Sequence, residues 1–147
     1  PGNMPKRIQE FCEKTGQYVP QTKGEIVRCI FDSLAMCYRS TVEKLDEITG
    51  VKAPAINIVG GGTKEVPLCK LTADACGRPV YTGPVEATAL GNIAVQAIAQ
   101  GEIKDTKQAR QVIENSFEIS HFEPHDTAMW DEGYERFTKI VDMTKNG

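Results

Sequence analysis

The residues of this chain best placed to do chemistry are Ile58-Val59-Gly60-Gly61-Gly62-Thr63. A short run rich in β-branched residues meets three glycines and then a hydroxyl residue, the pattern of a strand entering a tight turn and a helix. Without side chains, Gly60, Gly61 and Gly62 let the backbone approach a ligand closely. A helix capped by Thr63 would turn free N–H groups and its positive end toward an anion. A nucleotide suits the carboxyl end of a parallel strand. Two other phosphate motifs fail. A dinucleotide fingerprint from Gly60 would need glycine or alanine where Glu65 stands, and a P-loop would need Gly-Lys-Ser/Thr where the order is Gly62-Thr63-Lys64. Spacing alone leaves two readings open, a nucleotide site and a ligand-free turn in an α/β core.

The remaining reactive types are sparse. Five cysteines (Cys12, Cys29, Cys37, Cys69, Cys76) form no Cys-x-x-Cys pair and lie far in sequence from His121 and His125, so no metal site is expected and most of the thiols should be buried and inert. Pro124 interrupts the helical spacing of the two histidines, which read as surface residues. Asp74 and Glu86 lack the matched partner that acid–base catalysis needs and read as surface or capping carboxylates. Trp130 and Tyr134 read as core or interface anchors, and Lys104, Lys107 and Arg110 as a solvated helix face.

The elements that must position the glycine turn follow from periodicity. Met4 to Thr15 reads as a short helix stopped by Gly16. Thr22-Lys23-Gly24-Glu25 is a capping box. It opens an apolar stripe of Val27, Ile30, Phe31, Leu34, Tyr38, Thr41, Val42, Leu45 and Ile48, a helix of about 24 residues and about 36 Å ended by Gly50. Ala55 to Val59 is a strand. A helix follows, with Pro67 in its first turn and Gly77 closing it. Pro79 to Thr82 is a second strand. Glu86 to Gln100 is a helix whose small stripe (Ala87, Leu90, Gly91, Ala94, Ile98) suits close backbone packing. Asp105-Thr106-Lys107-Gln108 opens a helix through Asn115, and a last helix runs from Asp126 to Lys145. Strands alternating with helices imply parallel pairing with right-handed crossovers. Two strands alone make a poor sheet. The expected fold class is therefore α/β, helix-rich, divided into a helical hairpin (1–50), a strand-helix-strand-helix core (51–101) and C-terminal helices (102–147). If 4–48 fold as a hairpin, Cys12 and Cys29 face each other about one turn from the loop, near enough for a disulfide in an oxidised preparation, although a reducing compartment favours free thiols.

The 147 residues carry a formal net charge of -3, with 40% hydrophobic and 25% charged residues. That composition is ordinary for a globular domain and offers no basic footprint for nucleic acid or an anionic membrane surface. No apolar run reaches the length of a membrane span, and no signal peptide opens the chain, so a cytoplasmic setting is expected. Pro1-Gly2-Asn3-Met4-Pro5 reads as loop that continues from something upstream.

Four stretches go beyond pattern: Ile58 to Thr63, Leu71-Thr72-Ala73-Asp74-Ala75, Gly77-Arg78-Pro79-Val80, and Gly83-Pro84-Val85-Glu86-Ala87-Thr88-Ala89-Leu90-Gly91-Asn92. Together with Pro1 to Gln9 and Gly24 to Tyr38 they resemble the FGGY family of carbohydrate kinases, within the actin-like ATPase superfamily. The likeness is weakest after Phe117. The resemblance implies a partial ribonuclease-H-like lobe whose first three strands, facing lobe, general-base aspartate and sugar-binding residues lie before Pro1. It also implies ATP with Mg²⁺ as cofactor and a ketose as partner of the whole enzyme. Within this chain it implies one site, the backbone of Gly60, Gly61 and Gly62, with Gly61 the foremost contact and no catalytic residue. The sequence departs from the family pattern at Glu65, Cys69 and Lys70, so side-chain contacts to adenine or ribose are not carried over. An unpaired strand edge and an uncovered helix face would favour self-association of the chain.

Overall fold

A computed structural model describes residues 2–145, with the side chain of Lys145 left out. The chain opens with α1 (Met4–Lys14) and α2 (Lys23–Thr49). The Asn3 side chain caps α1. The expected capping box starts α2: Glu25 N–H donates to Thr22 Oγ1 at 3.2 Å and Thr22 N–H to the Glu25 carboxylate at 2.9 Å. Thr22 N–H, and after it Gln21 N–H, hold the Glu25 carboxyl below its usual range. Helix α2 ends at Gly50, whose φ of 68° takes the left-handed cap. At 27 residues it is three longer than the periodicity predicts.

Next come β1 (Ile56–Ile58), α3 (Val66–Cys76), β2 (Val80–Thr82), α4 (Ala87–Ala99), α5 (Thr106–Ser116), β3 (His121–Phe122) and α6 (Thr127–Lys145). Strands β1 and β2 pair in parallel, with Ile56, Asn57 and Ile58 opposite Val80, Tyr81 and Thr82. The parallel expectation therefore holds, but the sheet has a third strand that periodicity does not reveal. β3 pairs antiparallel with the far side of β2, Phe122 opposite Val80 and His121 opposite Tyr81. Two residues are too few to show a period of two, and only the pairing makes them a strand.

One face of the sheet is covered. Cys69 and Ala73 of α3 pack on Val80, with Ile56, Ile58 and Phe122 around them. On the opposite face Asn57, Tyr81 and His121 share one register row. The Tyr81 and His121 rings stack there with centroids 4.5 Å apart. His121 stays partly exposed, as expected of a surface histidine.

A second core joins three helices. Ala35 and Met36 of α2, Ala75 of α3 and Trp130 of α6 are buried together, flanked by Leu71, Tyr134 and Phe137. Arg39 lies 4.2 Å over the Tyr134 ring and bonds Glu43 and Asp131. Trp130 and Tyr134 are thus core anchors, as their spacing implies. The Arg78 guanidinium, only 7% exposed, forks onto Asp46 and ties the end of α3 to the end of α2.

One packing expectation fails, and the uncovered helix face expected of the long helix is present. Helix α4 has no buried residue, and a Cβ at Gly91 would meet nothing within 4 Å, so the small stripe packs no backbone against backbone. Its main neighbour is α5. Helix α2 leaves much of its stripe uncovered, with Leu45 54% and Ile48 82% exposed. The cysteines also divide: Cys12 and Cys69 are buried, Cys29 and Cys76 half-buried, and Cys37 exposed. Among the described residues no helix is long and apolar enough to cross a membrane, and no group of three or more His, Cys, Asp or Glu could hold a metal.

Candidate functional site: the glycine turns at the strand exits

Parallel pairing puts the carboxyl ends of β1 and β2 side by side, so the turns leaving them meet. Gly83 N–H donates to Ile58 O at 2.8 Å, and Gly60 N–H donates to Pro84 O at 3.2 Å. The two turns are thus cross-linked by backbone hydrogen bonds. Gly60 sits at φ 81°, in the left-handed region where a side chain is strained. Gly83 is required for space instead: a Cβ there would lie 2.9 Å from Val59 Cγ1. The need for glycine here comes from the neighbouring turn and is not visible in the local sequence.

Gly60–Lys64 forms a five-residue 3-10 turn, and α3 begins only at Val66. This corrects the reading of Thr63 as a helix cap. Its hydroxyl donates to Gly60 O at 2.8 Å and closes the turn on itself, while Glu65 takes the cap position of α3 with no side-chain hydrogen bond. Pro67 bars α3 from extending backward, since a proline beyond the first turn would clash. No long helix therefore points its positive end from Thr63, and the ligand-facing chemistry of this turn is backbone exposure. Of the three glycines, Gly61 is the open one. A Cβ built on it meets nothing within 4 Å, whereas one on Gly62 would touch Ile58 Cγ2 at 3.6 Å. Behind the turn, buried Cys69 directs its thiol to Gly62 O at 3.8 Å, and burial raises its pKa.

A cleft of about 290 Å³ opens at this end of the sheet. Thr63, Gly83, Pro84 and Val85 line it together with Phe117, Glu118 and Ser120. The last three belong to the segment entering β3, and their place in the cleft is not apparent in the sequence. Asp74 is remote from acid–base work, its carboxylate accepting the His125 N–H at 2.8 Å as a structural cap on the loop before α6.

The model of the FGGY family of carbohydrate kinases, C-terminal domain, matches residues 1–100. The chain belongs to the FGGY family. Curated relatives agree: it is 42% identical over 141 residues to a rhamnulokinase of Bacteroides thetaiotaomicron, covering 96% of this chain and 29% of the relative. It is 47% identical over 126 residues to a rhamnulokinase of Bacillus subtilis, covering 86% and 26%. In fold it is similar to the xylulose kinase from Rhodospirillum rubrum, with a TM-score of 0.72 at 21% identity over 89% of this chain and 27% of that one. The chain thus spans less than a third of the relatives' length. The helix-rich α/β fold is that of an FGGY kinase.

Proposed function

We propose that this chain supplies one wall of the ATP site of a cytoplasmic L-rhamnulose kinase, which transfers the γ-phosphoryl group of ATP to a hydroxyl of the ketose. The observation that carries the reading is the open backbone at Gly61, set where two cross-linked glycine turns leave a parallel strand pair. Gly60, Gly61 and Gly62 would pass along the nucleotide with no side chain between, and the cleft beside them has room for part of it. Bound ATP would supply the transferred group. Mg²⁺ would enter with the phosphates, which commonly carry it in kinases. Phosphoryl transfer is mostly positioning and charge stabilisation, so it needs a facing lobe that holds the sugar and a carboxylate base. Nothing in the glycine turns performs that role, and we assign it to residues outside these 147. The boundaries at 50 and 101 divide the chain into supporting hairpin, nucleotide-site core and C-terminal helices. Rhamnulose is favoured because the relatives above are rhamnulokinases.

The test is a coupled ATPase assay of the full-length kinase carrying this chain, with L-rhamnulose, xylulose, fuculose and glycerol. The highest kcat/KM is expected for L-rhamnulose, and none above background for the 147-residue chain alone. A preference for another sugar would reassign the substrate. Turnover by the chain alone would place the base within it. Absence of any sugar-dependent turnover would favour a non-catalytic binding domain.

A further inference from the structure

The exit of β2 is fastened on both flanks. On the β3 side, Thr82 N–H donates to Ser120 O at 2.9 Å, and Ser120 N–H donates to Thr82 Oγ1 at 3.0 Å. On the β1 side, the parallel ladder continues past the strand ends. Gly83 N–H reaches Ile58 O and Gly60 N–H reaches Pro84 O, so Gly60 is held in register with the second turn. The glycine turn is thus an extension of the sheet, and the spacing between the two exits fixes where Gly61 stands.

That spacing is set at one contact. Gly83 is not among the glycines at positive φ, so its backbone would accept a side chain and only space forbids one. The obstacle is a single atom. A Cβ on Gly83 would lie 2.9 Å from Val59 Cγ1, whereas the next neighbours, Ile58 O and Val59 Cβ, stand at ordinary contact distances of 3.8 and 3.9 Å. Val59 is β-branched, and its own backbone restricts rotation about χ1, so the Cγ1 methyl does not swing aside freely. β2 lies in the middle of the sheet and β1 at its edge. Pinned to β3, the β2 exit gives less than the β1 exit. A side chain at position 83 would therefore push Val59 outward and carry Gly60 and Gly61 with it.

We propose that Gly83 and Val59 are positioning residues of the kinase, their close contact setting the separation of the two turns and so the placement of Gly61 against the nucleotide. They act through the Gly60–Lys64 turn. This rests on the nucleotide reading above and adds to it the residues that hold that turn in place. Relaxing the 2.9 Å contact to about 3.5 Å, the near end of carbon–carbon contact, displaces the turn by roughly 0.6 Å. A misplacement of about 1 Å costs about a hundredfold in rate, so a shift of this size should cost about tenfold.

The experiment measures kcat/KM for ATP and KM for the sugar in the full-length kinase and in its variants, at a temperature where each is folded by circular dichroism. Gly83→Ala should lower kcat/KM for ATP about tenfold, in line with that displacement, and leave KM for the sugar in place. In the Val59→Ala background the same alanine should cause no further loss, because the atom it strikes is gone. Gly83→Val in that background should lower the value again by refilling the space. This pair keeps the test decisive where Gly83→Ala alone does not fold. A purely structural contact would lower stability and leave ATP kinetics unmoved. The positioning role is refuted, and the glycine turn stands, if Gly61→Val impairs ATP use while Gly83→Ala, or Gly83→Val over Val59→Ala, does not. It is equally refuted if Val59→Ala fails to rescue Gly83→Ala, or if KM for the sugar rises as much as that for ATP. If Gly61→Val leaves ATP kinetics unchanged, the nucleotide reading falls and this proposal with it.

Discussion

Replacing Gly61 by valine separates ligand contact from folding, because the structure makes this position cheap to fill. The added Cβ meets no atom within 4 Å, and Gly61 is not among the glycines held at positive φ. Its folding penalty should stay within about 0.5 kcal/mol, as for a surface substitution, a shift of roughly 1–2 °C in Tm. Gly60 is a poor probe by comparison: at φ 81° any L side chain is strained by about 1–2 kcal/mol. A nucleotide on the Gly61 backbone would lie at van der Waals distance, about 3.5–4 Å, and the isopropyl group would occupy that space. Forcing it in should cost about 1–3 kcal/mol, or roughly 5- to 150-fold in KM for ATP. The assay is steady-state kinetics with each substrate varied in turn, paired with thermal melting followed by circular dichroism. A folded variant whose KM for ATP is unchanged, or whose sugar KM rises equally, would refute placement of the nucleotide at Gly61.

Gly83→Ala should behave in the opposite way. Its methyl would lie 2.9 Å from Val59 Cγ1 beside the Ile58 hydrogen bond, so the chain should lose about 1–3 kcal/mol by denaturant titration. Asp46 has its carboxyl pKa lowered, first by its hydrogen bond to Arg78 and then by the Ala53 N–H. A depressed folded pKa stabilises above the unfolded value and is lost as pH falls through the folded one, so Asp46→Asn should lower Tm at neutral pH and converge with the parent only in acid, below the ordinary Asp pKa of about 3.9. Cys29 has its pKa raised, chiefly by burial and then by Cys12, whose thiol is near enough to interact. Both thiols are free, and treatment with a disulfide oxidant should couple them, seen by mass spectrometry as a linked peptide pair absent in Cys29→Ser. The isolated chain should self-associate through the exposed α2 stripe and the outer edge of β1. A monomer in sedimentation at high micromolar concentration would count against this.

Local sequence by itself determined the parts whose causes are local. The Thr22–Glu25 box needs only residues three apart, and Gly50 and Gly77 stop helices because left-handed caps favour glycine. The opening of α5 at Asp105-Thr106-Lys107-Gln108, which has the spacing of a capping box, was half legible. Asp105 accepts from Gln108 N–H, but the Gln108 side chain reaches Lys104 N–H, one residue short of the reciprocal bond. The strand-to-glycine junction at Ile58 is likewise local, as is the turn at Gly83. Tertiary structure decided whatever depended on distant partners. Pairing across about 40 residues made a strand of His121–Phe122 and brought Phe117 and Glu118 into the cleft that Val85 also lines. The spacing that suggested a Thr63 cap could not show that its hydroxyl would turn back to Gly60 and leave α3 to begin at Val66. Periodicity names an apolar stripe without naming what covers it: the same kind of pattern is buried on α3 and bare on α4. A hydrogen bond within one turn is set by sequence neighbours, whereas burial is set by whichever surface the chain folds against it.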